Sequence, residues 1–369
     1  MSDVGISSIA GYLPRLRLSK KTVSSANSWL APNLVGKGKG TRSMANWDED
    51  SVTMAVEAVR RVLGGDDDRS HVDTLFFAST TMPFVDRLNS GIMRAALTLE
   101  EETQCVDISS TLKSGTSALI QAIDKVKSGN SNYSIVSAAD KRKTRSASSQ
   151  ELDFGDGSVA IAVDTKNLIA KYINSSSLSI DFVDHFRGPG EEFDYNWEER
   201  WVRDEGYLKI VPKAIKDLFT KANISGSDID HFILPSVFPR VDQMIAKRCD
   251  INPENVAGNL AQSVGDTGSA HSLLMFASVL EKAKPGEKIL ICGFGGGSDV
   301  LLFEATDNIK NFKPQQTIEN LLETGVEENN YMKFLTFNDT VKWERGMRGE
   351  QDRKTALTTL YRHNDAIMG

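Results

Sequence analysis

The stretch "DISSTLKSGTSALIQA", residues 107–122, has the make-up of an elbow that presents a nucleophile. A strand ends at Asp107-Ile108, small residues form a tight turn, and Gly115 opens an apolar helix. The residue at the centre of the turn is Leu112, which cannot attack, ionise or carry an acyl group. Ser109, Ser110, Thr111, Ser114 and Cys105 lie close by. Cys105 belongs to the preceding strand, and Ser114 would need a base, for which Asp266 or a histidine is the candidate. His185 in "DHFRG" and His271 in "GSAHSLL" are the two histidines to follow, with Lys113 and Ser114 as the other members of a possible residual site. Packed or solvent-bridged histidines are the simpler reading of both. Lys113 and Asp266 occupy corresponding turns, and an ion pair between them is expected.

Other chemistry is thinly represented. Cys105, Cys249 and Cys292 have no CxxC or Cys/His spacing, so neither a disulfide framework nor a metal site is expected. "DKRKTR", Asp140 to Arg145, reads as a solvated loop or as a landing site for a phosphate-bearing ligand or an acidic partner.

The elements that must position these residues recur along the chain. "SVTMAVEAVRRVL" (51–63) has helical spacing and precedes the strand "HVDTLFFAST" (71–80). "YLKIVPKAIKDLF" (207–219) has the same character and precedes "IDHFILPSV" (229–237). Asp73 and Asp230 head the two strands, 157 residues apart. "LKSGTSALIQAIDKVKSGNSNYSIVSAAD" (112–140) parallels "GDTGSAHSLLMFASVLEKAKPGEKILICGF" (265–294), with Gly115 and Gly268 153 residues apart. The two offsets point to a duplicated α/β half. "FGDGSVAIAV" (154–163) closes the first half, and 170–206 reads as an ordered, aromatic and charged excursion. Beyond Asp307 the periodicity weakens into short helices expected on the surface or on a partner.

Composition bounds the function. The 369 residues are 40% hydrophobic and 25% charged, as in a globular protein with a substantial core. A net charge of −7 argues against nucleic acid as a partner. The N-terminus lacks the features of a signal peptide and no run of about 18 apolar residues occurs, so no membrane association is expected and a cytoplasmic location is the default.

Over residues 4–306 the sequence resembles the thiolase superfamily, particularly hydroxymethylglutaryl-CoA synthase and ketoacyl synthase III-like proteins. "VGISSIAGYLPRLRL", "NWDEDSVTMAVEAVRRVL", "FGDGSVAIAV", "DEGYLKIV" and "EKAKPGEKILICGFGGGSD" carry the resemblance. It implies a five-layer α/β/α/β/α fold of two similar halves. The divisions expected are 1–168, 169–306 including the 170–206 excursion, and a C-terminal extension, 307–369, available for partner contact.

The family's chemistry uses a cysteine at a buried helix N-terminus, a histidine, an asparagine and, in the synthase, a glutamate. The resemblance places these roles on Leu112, at or near Pro235, on Asp266 and on Thr80, with His231 four residues short of Pro235. It therefore implies no catalytic residue at these positions and a subunit silent in condensation, paired with a thiolase-type catalytic subunit and a small zinc-ribbon/OB-fold protein. "TALTTLYRHNDAIMG" resembles the junction with such a module. A homo- or heterodimer or larger assembly is implied, and a coenzyme A thioester is a possible ligand, with no covalently bound cofactor. Two alternatives remain: a condensing enzyme or acyltransferase using a non-standard residue, and a homodimeric acyl-CoA-binding scaffold.

Overall fold

A computed structural model describes residues 3–65 and 69–342. The first half runs β1 (Gly5–Tyr12), α1 (Ser51–Leu63), β2 (Thr74–Ala78), α2 (Asn89–Ala96), β3 (Gln104–Ile108), α3 (Ser114–Lys127), β4 (Ser134–Asp140) and β5 (Gly157–Asp164). The second runs β6 (Ala170–Ser179), α4 (Leu208–Ala222), β7 (His231–Ile233), α5 (Val241–Arg248), α6 (His271–Leu280), β8 (Lys288–Phe294) and β9 (Gly297–Ala305).

Hydrogen bonding joins the strands in the order β7-β8-β9-β6-β1-β5-β4-β2-β3. Read outward from the centre, β1-β5-β4-β2-β3 mirrors β6-β9-β8-β7, and an isolated parallel bridge between Phe232 and Val256 stands where the second half lacks its fifth strand. The directions repeat as well. β5 and β9 are antiparallel to both neighbours, while β2–β4 and β7–β8 are parallel. The halves are stitched at β1–β6 by Gly5 opposite Lys171 and Ile6 opposite Ala170. The duplication read from the sequence is thus a topological repeat.

Three apolar clusters make five layers. α1 and α2 pack on one outer face through Val56, Val59 and Met93, with Leu97 just past α2, against Leu75, Phe77 and Ile135. α4 and α5 cover the other through Val211, Ile215, Leu218 and Ile245 against Phe232, Leu290 and Leu302. Between the sheets lie α3 and α6, contributing Leu119, Ile123, Leu273 and Phe276 to a cluster reaching strands of both halves. The difference in position is written into the helices. α1 is amphipathic and begins at a capping box between Asp50 and Thr53, whereas α6 is "HSLLMFASVL", apolar on nearly every side as a helix between two sheets must be. At about 1.5–3 kcal/mol for each large apolar side chain withdrawn from water, this middle layer is the chief hydrophobic contribution.

Two expectations change. The excursion begins after Ser179, not at residue 170, because "AKYINSSSLS" is the ten-residue central strand β6; its serines hide the alternation expected of a strand. The described part of the C-terminal extension packs on its own chain. The segment Val326–Glu328 pairs in parallel with Leu16–Ser19, and Phe334 and Leu335 of the helix Tyr331–Phe337 join Leu18, Val23 and Leu34. "TALTTLYRHNDAIMG" lies outside the described residues.

Glu151 fastens that extension to the segment 149–154, several of whose residues line the cleft described below. Fully buried, its carboxylate accepts from the Tyr331 hydroxyl at 2.8 Å and the Ala147 N–H at 2.8 Å. Burial outweighs these bonds and raises its pKa to about 7. A raised folded-state value contributes stability that is complete below the ordinary carboxylate range and is lost as pH rises through about 7. Glu151→Gln keeps the hydrogen bonds without the charge. Thermal melts are expected to show near-identical stability at about pH 4 and a variant more stable by up to about 3 kcal/mol at about pH 8. An unchanged difference across that range would exclude Glu151 as the titrating group.

Candidate functional site

β3 delivers the chain into the elbow between the halves. Ser110 there takes a left-handed conformation (φ 74°), which a non-glycine residue adopts only at some cost. Thr111 Oγ1 donates to the Gly295 carbonyl at 2.5 Å, tying the turn to the loop between β8 and β9. Leu112 follows, and α3 starts at Ser114. Close approach sets the sequence here. A Cβ at Gly115 would collide with the Ser269 carbonyl oxygen, and one at Gly268 (φ 64°) with Asp140 Oδ2. The two glycines that mark the repeat are therefore where the inner helices of the halves meet.

Two buried carboxylates hold this junction. Asp299 of β9 accepts from Lys113 Nζ at 2.9 Å through Oδ1, and from Thr116 Oγ1 at 3.2 Å and Ser117 Oγ at 2.5 Å through Oδ2. Lys113 therefore pairs with Asp299 and not with Asp266. The corresponding turns lie near each other, but a lysine at the helix start reaches across into the facing sheet instead. Asp140, at the end of β4, accepts from the Ser79 and Thr81 hydroxyls, from Thr80 N–H (2.7 Å) and Oγ1 (3.0 Å), and from Ser269 N–H (2.7 Å).

A cleft of about 220 Å³ opens above the elbow. Leu112, Arg142, Phe154, Asp184, His185 and Asp266 line it, joined by Tyr207, Trp197, Phe238 and Phe294 among others. Arg142 Nη2 reaches Asp266 Oδ2 at 3.2 Å and its carbonyl oxygen at 3.0 Å, and the guanidinium carbon stands 3.6 Å from the centre of the Phe154 ring. Burial pushes the Asp266 carboxyl up, but Arg142, His271 and the Gly268 N–H outweigh it and hold it below the carboxylate range. "DKRKTR" is accordingly no solvated loop: Asp140 and Arg142 are buried, and Lys141 Nζ donates to the Glu49 carbonyl at 2.9 Å. The polar half of this motif faces inward because β4 carries it to the junction.

The histidines separate. His185 Nδ1 lies 2.9 Å from Asp184 Oδ2 inside the cleft. Burial opposes its charge, yet the Asp184 hydrogen bond prevails and raises its pKa. His271 is buried outside the cleft, its Nδ1 accepting from Thr267 N–H at 3.1 Å, which leaves Nε2–H to donate to Asn259 Oδ1 at 3.0 Å. Burial depresses its pKa, in keeping with a neutral packed imidazole. His231 bonds Glu287 at 2.9 Å, at the start of β7. Ser114 is fully buried and its hydroxyl has no hydrogen-bond partner among the described residues.

Thr80 and Pro235 do not line the cleft. Thr80 serves Asp140, and its carbonyl accepts from Arg187; from the loop holding Pro235, Val237 and Phe238 reach the cleft instead. Cys249 and Cys292 are buried in the outer core and Cys105 sits half-buried in β3; burial raises all three thiols, Cys249 to about 11. No group of three His, Cys, Asp or Glu side chains among the described residues could hold a metal ion. Arg142, Asp184 and Tyr207 went unmarked in the sequence as cleft residues; the basic run around Arg142 was the available signal.

The cleft thus offers a His–Asp dyad, an Arg142–Asp266 ion pair whose Arg142 Nε has no hydrogen-bond partner among the described residues, aromatic walls and a hydrocarbon floor. Its geometry depends on the Asp299 clamp. Asp299→Ala strands the Lys113 ammonium in a buried setting, and denaturant titration is expected to show a loss of about 3–5 kcal/mol. Replacing both partners, Lys113→Met with Asp299→Leu, is expected to recover much of that loss; a single-variant cost below about 1 kcal/mol would dispose of the clamp.

Residues 219–301 match the family model described as 3-oxoacyl-[acyl-carrier-protein] synthase III C terminal. The chain is 28% identical over 351 residues to a hydroxymethylglutaryl-CoA synthase of Caldivirga maquilingensis, covering 93% of this chain and 99% of the relative. It is 25% identical to the synthase of Methanopyrus kandleri, covering 94% and 98%. Among solved structures it is similar to an HMG-CoA synthase complexed with CoA (TM-score 0.80, 17% identity, 93% of this chain and 91% of that one). It is also similar to 3-oxoacyl-(acyl carrier protein) synthase III from Pseudomonas aeruginosa (TM-score 0.72, 19% identity, 82% and 98%). With its repeated halves, inner helix pair and elbow, the chain has a thiolase-like fold, similar in sequence to hydroxymethylglutaryl-CoA synthases and in fold to HMG-CoA synthase and 3-oxoacyl-(acyl carrier protein) synthase III.

Proposed function

We propose that this chain is a subunit of an acyl-CoA acyltransferase or thiolase assembly that does not itself condense acyl groups. It supports a thiolase-type catalytic partner, with a small zinc-ribbon/OB-fold protein as the further component. A coenzyme A thioester is the ligand class, held without a covalent bond; one similar solved structure is an HMG-CoA synthase complexed with CoA.

The observation that carries this reading is Leu112 at the start of α3, on the floor of the cleft. A helix N-terminus between two sheets favours a thiolate, and a leucine there leaves that field without a nucleophile to act on. The groups facing it support the same reading. Asp266 is committed to Arg142, and Thr80 to Asp140. The three cysteines are buried or half-buried with raised pKa values, so none is a ready substitute.

Acetyl-CoA labelled in the acetyl group tests this directly. The isolated chain is expected to retain no acid-stable label after gel filtration, and a stoichiometric adduct would overturn the reading. The His185–Asp184 pair favours one alternative, proton-transfer chemistry by a non-standard residue. On that alternative the isolated chain would turn over an acyl-CoA, and His185→Ala would abolish the turnover by at least about a hundredfold.

The site also makes a prediction for a restored thiol. Leu112→Cys is expected to react with iodoacetamide at neutral pH at least about tenfold faster than any native cysteine. Mass spectrometry of the modified peptide reads the outcome, and a rate equal to that of Cys105 would mean that the elbow no longer activates a thiol.

A further inference from the structure

The excursion that follows β6 concentrates the charge of the whole molecule. Residues 181–205 hold nine aspartates and glutamates against three arginines, a net charge of −6 in a chain whose total is −7. Asp181, Glu191 and Glu199 are exposed and have no ion pair among the described residues. Asp184, Glu192, Asp194, Asp204 and Glu205 are ion-paired, Glu192 and Glu205 with Lys143 and Lys209 from outside the segment, so the uncompensated charge lies on the remaining carboxylates.

The same segment exposes large aromatic rings. Phe186, Tyr195, Trp197 and Trp201 are 53%, 56%, 45% and 48% exposed. They are not scattered. Phe186 and Tyr195 lie 5.1 Å apart, Tyr195 and Trp197 6.2 Å, and Trp201 stacks on Phe182 at 6.3 Å. The short hairpin of His185–Phe186 with Tyr195–Asn196 holds the first rings in place, and Arg187 pins it by pairing with Asp194 at 2.8 Å and donating to the Thr80 carbonyl. Rigid, exposed aromatic rings set among carboxylates are costly in water and typical of residues that anchor a protein interface.

We propose that this acidic aromatic face is the docking surface for a basic segment of a partner protein, seated at the mouth of the cleft. Charge complementarity selects the occupant. Lysine and arginine side chains gain from the carboxylates and from the faces of Trp197 and Tyr195, whereas nucleic acid, acidic carrier domains and anionic membranes are repelled. A second copy of the chain would set uncompensated carboxylates such as Asp181, Glu191 and Glu199 against their own kind, which disfavours self-association through this face. The proposal rests on the subunit reading for its need of a partner. The surface belongs to this chain alone, so its test is separate from the acylation assay.

The probes are two acetylated peptides of about twenty residues, one of alternating leucine and lysine clusters and one with glutamate in place of lysine. Hydrogen exchange of the full chain is expected to slow within residues 181–205 on adding the lysine peptide, and not on adding the glutamate peptide. The affinity is expected to fall about tenfold between low and physiological salt. The variant Asp181→Lys, Glu191→Lys, Glu199→Lys is expected to lose binding at least about tenfold while its circular dichroism and melting remain native. Trp197→Ala, tested in parallel, is expected to weaken binding without removing its salt dependence. Equal binding of both peptides, protection outside 181–205, or an unaffected charge-reversed variant would overturn the proposal. So would a homodimer, seen by sedimentation, that the charge-reversed variant dissolves.

Discussion

The first turn of α3 is gripped by a carboxylate from the opposite half of the molecule. Asp299 gathers the Lys113 ammonium and two hydroxyls of that turn, at a level where almost no water is present to do so. A lone buried carboxylate would be costly, and so would a lone ammonium; together they tie a helix of one half to a strand of the other. Asp140 performs the reciprocal service, collecting donors from residues 79–81 and from Ser269. Together with the short β1–β6 contact, the inner apolar layer and the backbone bridge between Phe154 and Asp266, these two polar knots hold the repeats in register, and the shape of the cleft follows from that register.

The knots also explain why the elbow keeps its small residues. Gly115 admits the Ser269 carbonyl and Gly268 admits the Asp140 carboxylate, so any side chain at either would push the inner helices apart. A strained turn with Ser110 in the left-handed region is held by the Thr111–Gly295 bond. Such a turn aims Leu112 at the cleft whatever its chemical value there. The geometry is that of a site built for a reaction, while the side chain at its centre is built for packing.

Electrostatics divide the cleft into an inner and an outer zone. Inside, Arg142 pairs with Asp266 beneath the Phe154 ring and His185 with Asp184. Outside, the excursion carries carboxylates without equal compensation and lifts aromatic rings into solvent. A paired interior with a leucine at its floor and a charged, sticky rim suit recognition at the mouth better than bond-making at the floor.

Much of the architecture was legible in the chain itself. The helix 51–63 coincides with its amphipathic run and cap, and the paired offsets of Asp73/Asp230 and Gly115/Gly268 announce the duplication. Helical and strand periodicity are local properties, set by which residues can face a core, and so they survive in one dimension. β6 was missed for the same reason in reverse: a central strand rich in serine lacks the pattern that the rule reads.

Partnership was not legible. Nothing in the spacing of Lys113, Arg142, Asp266 and Asp299 says which cation takes which carboxylate, because that choice is settled by side-chain reach across two sheets. The same holds for His185 and His271, alike as letters, one placed in the cleft by a hairpin and the other sealed beneath it by Thr267 and Asn259. The sequence by itself determined the repeated α/β halves, the elbow and the leucine at its centre, since these rest on residue type and local pattern. Only the tertiary structure decided which charges pair, which histidine meets the cleft and where the acidic excursion comes to rest, since contact between distant residues exists only once the halves are packed.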